Sequence, residues 1–591
     1  MKNKRQFSLF RKDLFRAFSL AWKADSRIAV INMTLQVVQA LLPVASLYFL
    51  KQMIEAVQHG EAFKVVLPVI VAFGAVQVVS ALAAQYTAYI SVIHQAKLTD
   101  HLSEQVLHQA AHVDYSYYEN PDYHDTLHLA QQQSLYKASG LLSSFNAAIL
   151  NTLSLIFLIA FFFSLNAMFA LLFMLVSVPL AAIKWYSGFT LQRLESRFVG
   201  REREAGYLHS VLTGINYAKE VRLFGYAEAF IKKFKKIRSS IREEKAKVHG
   251  RLACYSLLAE LLEVVVMVVI FGMLAKSTWE KAMTIGAFVI YIQGFQRLQS
   301  TSRNFLQALV QIFQQRIFLK DLFAFLDIKV SYPEAVTENG FAGPKQDLIV
   351  NQLSFKYPGS TKPVLKEISM AFKPGTITAI VGENGSGKST LVKLLSRIYA
   401  VQQGSIQLDG TPLAEIDLDA FRKNASFVFQ DFEKYFLTVN ENIALGNGAE
   451  VVDPLKAARS AKLSGAHPFI SKLSKGYDTR LGRSFDKSEQ LSGGQWQKLV
   501  LSRIFYNDAK LIVLDEPSSA LDPVAELELF QNIKELAVDK TIILISHRLY
   551  NLKVADYIYV MKNGVVAEEG AFAALIENGP VFKEMYDAQK L

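Results

Sequence analysis

Residues 376–398 read TITAIVGENGSGKSTLVKLLSRI, and this stretch decides the fold of the second half of the chain. An apolar run, a glycine turn and a second apolar-periodic run predict a buried strand, a tight loop and a helix. The loop comprises Gly382, Glu383, Asn384, Gly385, Ser386, Gly387, Lys388, Ser389 and Thr390, and it satisfies G-x-x-x-x-G-K-[ST]. Its glycines let the backbone wrap phosphates, Lys388 can reach the β- and γ-phosphates, and the Ser389 hydroxyl can ligate Mg²⁺. Residues 346–591 therefore read as an α/β P-loop domain.

Two more apolar runs end in polar residues. AKLIVLDEP (509–517) predicts a buried strand closing on Asp515 and Glu516. At the carboxyl end of a parallel sheet these carboxylates fall beside the P-loop. Asp515 suits the Mg²⁺ shell, and Glu516 suits a base that polarises an attacking water. KTIILISHR (540–548) ends similarly in His547, whose placement allows either a structural role or contact with the γ-phosphate. The sequence LSGGQ (491–495) has the look of a second phosphate cradle, opening a helix but lacking a lysine.

The first half differs in kind. Hydrophobic residues make up 51% of the 591 and charged residues 20%, but the uncharged runs lie within 28–315. A membrane span needs about 20 apolar residues. Candidates are 28–50, 65–93, two spans within the uncharged 138–183 divided near Ser164-Leu165-Asn166, then 252–275 and 282–313. The long inward connections, 95–136 and 185–250, predict helices that continue into the cytosol. The net charge of +11 does not call for nucleic acid: residues 184–251 alone carry sixteen Lys/Arg against seven Asp/Glu, beside membrane spans. Residues 1–27, basic and aromatic, read as an amphipathic helix on the membrane surface, and 316–345 as a linker. The single cysteine, Cys254, is expected to pack in a buried apolar run.

The sixth span is unusually polar. Gln293, Gln296, Ser300, Arg303, Gln307 and Gln311 recur every three or four residues and share one helix face. Such a stripe is expected to face a bundle interior or a water-filled cavity. The fifth span carries Glu260 and Glu263, and counting from the outer ends places Glu260 level with Arg297. The pair reads either as a structural ion pair or as part of a substrate-contacting cluster with its neighbours.

Six spans followed by the P-loop, LSGGQ and VLDEP in that order resemble an ABC transporter, specifically a half-size exporter with fused membrane and nucleotide-binding domains. The resemblance implies ATP as the nucleotide, with Tyr357 in FKYPG stacking on adenine. It implies that Gln430 in FVFQD touches Mg²⁺ and senses the membrane domain, and that Asp522 closes the D-loop SALD. Glu516 is then the catalytic glutamate and His547 the switch histidine. Segments 113–125 and 217–225 look like coupling helices. Ser492, Gly493, Gly494 and Gln495 would hold the γ-phosphate of ATP bound to the other subunit's P-loop, so a dimer is implied, a homodimer or a pair with a related half-transporter.

The run TRLGRSFDKSEQLSGGQWQK (479–498) lacks the T-x-V-G-E-x-G pattern of multidrug exporters and looks more like bacterial exporters of lantibiotic- and microcin-type peptides. With no cysteine among the first 27 residues, leader cleavage by this chain is not expected. The expected activity is ATP-driven export of an amphipathic substrate, a peptide first, across a bacterial cytoplasmic membrane. The alternatives are a lipid or lipid-linked-sugar flippase, a multidrug exporter, and a membrane-bound regulatory ATPase without cargo.

Overall fold

Among the described residues, six long helices occur in the first half of the chain: α1 (Ser26–Gln58), α2 (Phe63–His112), α3 (Ser134–Leu165), α4 (Ala167–Thr213), α5 (Ala227–Trp279) and α6 (Ile285–Leu326). The computed structural model describes residues 15–119, 127, 134–165, 167–280, 283–328, 347–448, 451–483 and 485–589. It divides into two units, residues 1–113 with 121–329, and residues 114–120 with 330–591.

Among the described residues, α1, α2, α3 and α5 are long and apolar enough to cross a membrane. Their outward faces explain why. Val71, Val78, Leu82 and Val92 on α2, and Leu258, Leu261, Val265 and Val268 on α5, are exposed. That much exposed apolar surface is stable only against lipid or protein. Cys254 is exposed as well, which corrects the expected buried packing role. It sits on α5 near exposed Tyr255, Leu257 and Leu258, and an apolar run in a membrane helix need not face inward.

The bundle core holds Leu47, Leu158, Phe162, Ile270, Leu274, Ile290, Tyr291, Phe295 and Leu298. Gly294 is required here, because a Cβ on it would lie 2.0 Å from the Phe162 ring. Residues 15–24 are helical, and the Arg16 guanidinium forms a bidentate pair with Asp327 at 2.7 Å. Residues 1–14 of the N-terminal segment lie outside the described residues. The sixth helix continues to Leu326, so the segment read as a linker from 316 begins as helix.

The second unit contains two sheets. The larger has the order β10-β9-β3-β8-β7-β6, from β3 (Ile377–Gly382), β6 (Ala425–Val428), β7 (Leu511–Asp515), β8 (Thr541–Ile545), β9 (Tyr557–Lys562) and β10 (Val565–Gly570). All neighbours are parallel except β9 and β10. Every residue of β3, β7 and β8 is buried, as a parallel sheet covered on both faces requires. Helices α7 (Lys388–Leu395), α8 (Gly493–Asn507), α9 (Pro523–Leu536) and α10 (Pro580–Ala588) belong to this unit. A smaller sheet is formed by β1 (Leu348–Phe355), β2 (Leu365–Phe372), β4 (Gln403–Leu408) and β5 (Thr411–Pro412).

Candidate functional site

The strand order builds the site. Because β8 lies between β3 and β7, with β6 next to β7, the loops leaving four adjacent parallel strands gather at one edge. The register is level: Ile545 pairs with Ile380 on one side and Asp515 on the other. The P-loop leaves β3, Gln430 follows β6, Glu516 follows β7 and His547 follows β8.

The phosphate loop has the features that a triphosphate needs. Gly387 is left-handed, with φ +105°, and a Cβ there would lie 2.5 Å from Leu365 Cδ2. The buried Ser386 hydroxyl has no hydrogen-bond partner among the described residues. Lys388 is buried, and its Nζ donates to the carbonyls of Gly382 at 2.8 Å and Glu383 at 2.9 Å. Burial pushes its pKa down, while the charges of Asp515 and Glu516 oppose that shift. An orphaned hydroxyl, a buried cation and a loop closed to side chains fit an anionic ligand. The Tyr357 hydroxyl lies 3.0 Å from Thr390 Oγ1, which places its ring beside this loop.

Asp515 is buried, and its pKa rises to about 6, first because of burial and second because of the Glu516 charge next to it. Ser389 and Lys388 pull it the other way. Two adjacent acids with a serine hydroxyl suit Mg²⁺, which takes few protein ligands and shares the phosphate oxygens. No group of three His, Cys, Asp or Glu that could hold a metal occurs among the described residues.

Glu516 is brought together with two of the other candidates. Its Oε2 accepts from Gln430 Nε2 at 2.9 Å, and its Oε1 lies 3.0 Å from His547 Nε2. Glu516 is also left-handed, φ +51°, with its N–H bonded to Ile545 O at 3.0 Å. That conformation is uncommon outside glycine. Burial, and then the Lys388 charge, lower the His547 pKa, so the imidazole is neutral at pH 7.

Ser492 and Gln495 form a capping box at the start of α8: Ser492 N donates to Gln495 Oε1 at 2.8 Å, and Gln495 N to Ser492 Oγ at 3.3 Å. Gly493 opens the helix, and a Cβ on Gly494 would lie 2.8 Å from Ala520 O, so the signature packs against the 519–522 loop. Among the described residues, no hydrogen bond joins 492–495 to 382–390. Asp522 caps α9, accepting from Val524 N at 3.1 Å and Ala525 N at 3.0 Å.

Segment 114–120 is grouped with this unit. Glu119 bonds the Tyr399 hydroxyl and takes the Lys393 ammonium at 2.9 Å. Lys393 also lies over the rings of Tyr115, Tyr357 and Tyr399 at 5.4–5.8 Å. Residues 120–125 of the first candidate coupling segment lie outside the described residues. The second contains a short helix, Ala218–Leu223, with Leu223 and Phe224 exposed.

In the bundle, the polar stripe is real. Gln293, Gln296, Arg297, Ser300 and Gln307 are exposed, Arg303 and Gln311 are half-buried, and the core side chains occupy the opposite face. The ion pairing needs correcting. Glu263, buried, meets Arg303 at 2.8 Å, whereas neither Glu260 nor Arg297 forms an ion pair among the described residues. The helix ends explain it. Glu263 and Arg303 lie 16 and 18 residues from the outer ends at Trp279 and Ile285, but Glu260 and Arg297 lie 19 and 12. A seven-residue offset is about 10 Å along the axis.

Residues 365–519 match the family model described as ABC transporter, and residues 29–302 match that of the ABC transporter transmembrane region. The Nisin transport ATP-binding protein NisT of Lactococcus lactis subsp. lactis is 30% identical over 99% of this chain and 98% of its own length. The chain is an ABC transporter. The Subtilin transport ATP-binding protein SpaT of Bacillus subtilis is 28% identical over 98% of this chain and 94% of its own. An ATP-dependent lipid A-core flippase of Dechloromonas aromatica is 31% identical over 68% of this chain and 67% of its own. The structure of a bacterial Atm1-family ABC exporter with ATP bound superposes with a TM-score of 0.81 at 20% identity, covering 96% and 99% of the two chains. This transporter therefore has the exporter fold, binds and hydrolyses ATP to drive transport, and spans the bacterial cytoplasmic membrane several times with its ATP-binding domain in the cytosol.

Sequence reading missed three residues around the site. Buried Gln497 donates to Glu516 O at 3.3 Å and accepts from Ala520 N at 2.7 Å, tying the β7 loop to the 519–522 loop. Buried Glu526 bonds the Ser518 hydroxyl and takes Arg548 at 2.6 Å. Gln589 bonds the backbone on both sides of Arg548. Only Gln497, two places after LSGGQ, stood near a motif.

Proposed function

We propose that this ABC transporter works as a homodimer that exports an amphipathic peptide. The observation that carries the reading is the exposed polar face of α6 in an otherwise apolar bundle. Lipid cannot satisfy glutamines and Arg297, whereas a water-filled cavity completed by a second copy can. Peptide cargo is supported by two relatives that cover nearly the whole chain and are named for subtilin and nisin transport.

In this reading Lys388, the P-loop N–H groups and Tyr357 bind and orient ATP. Ser389, Asp515 and Gln430 would hold Mg²⁺, which when bound neutralises phosphate charge. Glu516 acts as the base toward water, with Gln430 on one carboxylate oxygen and His547 on the other. A neutral His547 can donate from Nε2, so it orients the base without protonating it. Ser492 to Gln495 receive the γ-phosphate held on the second copy's P-loop, with Asp522 at the same interface. Segments 114–120 and 217–225 carry nucleotide-domain closure to the long helices. ATP drives the change only through tighter binding to the closed dimer.

The test is the ATPase rate of the purified chain in lipid nanodiscs, with panels of cationic amphipathic peptides, lipids and amphiphilic drugs. Peptide stimulation is expected. Stimulation by lipid alone favours a flippase, a reading supported by the lipid A-core flippase relatives. No response to any panel favours a regulatory ATPase. No basal turnover from the pure chain removes the homodimer.

A further inference from the structure

We infer that Gln589, at the end of the C-terminal helix, is a positioning residue for His547, so that α10 acts as a restraint on the loop reading the γ-phosphate. This rests on the switch role proposed for His547. Gln589 Nε2 donates to His547 O at 2.5 Å, and Gln589 Oε1 accepts from Leu549 N at 2.9 Å. One side chain thus grips the peptide units on either side of Arg548. Both partners are backbone groups, so the contact fixes the path of the loop rather than the chemistry of one side chain.

The helix that delivers Gln589 is firmly placed. Its first N–H groups, on Val581 and Phe582, donate to the Glu568 carboxylate at 2.7 and 2.9 Å, a charge well matched to a helix N-terminus. Phe582 is fully buried in the core that includes Leu549 and Leu552. From the other side, Glu526 holds the Arg548 guanidinium at 2.6 Å, and Ser546 Oγ accepts from Arg548 N at 3.0 Å. The loop carrying His547 is therefore clamped from two helices, α9 and α10, while His547 Nε2 itself lies 3.0 Å from Glu516. Gln589 itself is exposed, and its helix packs on the helix Phe572–Asn578, on β10 and on the 549–554 turn. An exposed contact at a helix end opens more easily than the core beneath it. The C-terminal helix can then set how well His547 is aimed without touching nucleotide.

The test is a double-substitution cycle on the full chain in nanodiscs, with His547→Ala, Gln589→Ala and both together. Gln589→Ala is expected to lower kcat for ATP about tenfold, inside the roughly 5- to 150-fold span that two hydrogen bonds allow. KM for ATP should stay within about twofold, and the melting point should fall by no more than a few degrees. In the His547→Ala background the same change should cost nothing further, because there is no imidazole left to aim. Gln589→Glu, which keeps the acceptor but loses the donor, should match Gln589→Ala. If His547→Ala abolishes turnover while Gln589→Ala behaves as wild type, the restraint is wrong and the switch reading survives. A Gln589 effect that persists in the His547→Ala background reports general damage and overturns the restraint. Full hydrolysis by His547→Ala removes the switch reading, and the role of Gln589 with it.

Discussion

Asp515→Asn is predicted to stabilise the nucleotide-free transporter while destroying its function. The Asp515 carboxyl, 3% exposed and beside Glu516, is held at about 6 instead of 3.8. At ~1.36 kcal/mol per pKa unit, ionising it in the folded chain costs about 3 kcal/mol at neutral pH. The sign follows from linkage. A folded-state pKa above the unfolded value means that the folded chain binds this proton more tightly. The contribution is favourable below about pH 4, is lost as pH rises toward 6, and is absent above that. Asparagine has no charge to bury, so the advantage of the variant should be full at pH 7.5 and shrink toward pH 4.5. The assay is thermal unfolding of the nucleotide-free protein in chelator between pH 4.5 and 8, following the nucleotide-binding unit by a local probe, because two units need not melt together. With Mg-ATP added, the wild type should gain stability and the variant should not. A variant that melts below wild type at pH 7.5, or a difference independent of pH, would refute the burial argument.

Glu516→Gln should lower turnover by about 10²–10⁴, the range for a lost general base, and leave ATP affinity within a few-fold. Trapped radiolabelled nucleotide in the purified variant checks both. Glu263→Gln should destabilise the bundle, because it leaves the Arg303 charge without its 2.8 Å partner. The loss is on the order of 3 kcal/mol, reduced because Arg303 keeps 40% of its side chain exposed. Glu263→Gln with Arg303→Gln should recover part of it in detergent-stability measurements. Glu119→Gln weakens the contact with Lys393 and Tyr399, so it should cut stimulation by cargo more than the basal rate. Equal loss of both would place the segment outside coupling.

Much of the nucleotide site was legible because its motifs are contiguous. A glycine loop after an apolar run, and acids closing another run, announce themselves locally. Their meeting was less so, since it depends on the β6-β7-β8-β3 order, which no single segment carries. Glu526 and Gln589 were invisible for a related reason. Each is an ordinary residue on or at the end of a helix, and only tertiary packing brings it to the His547 loop. The α6 stripe was readable from its spacing, because a polar face in an apolar span has a period. The ion pair was not, because residue counting fixes depth only when both helix ends are known. Cys254 shows the same limit: an apolar run in a membrane protein does not say which face meets lipid.

The central claim is that one chain, paired with itself, uses ATP to move an amphipathic peptide outward. The most direct measurement is uptake of a labelled cationic amphipathic peptide into inside-out vesicles holding only this protein. An ATP-driven peptide exporter accumulates the peptide with ATP, and accumulates none with Glu516→Gln. ATP hydrolysis abolished by that substitution, with no uptake of any peptide tested, would contradict peptide export.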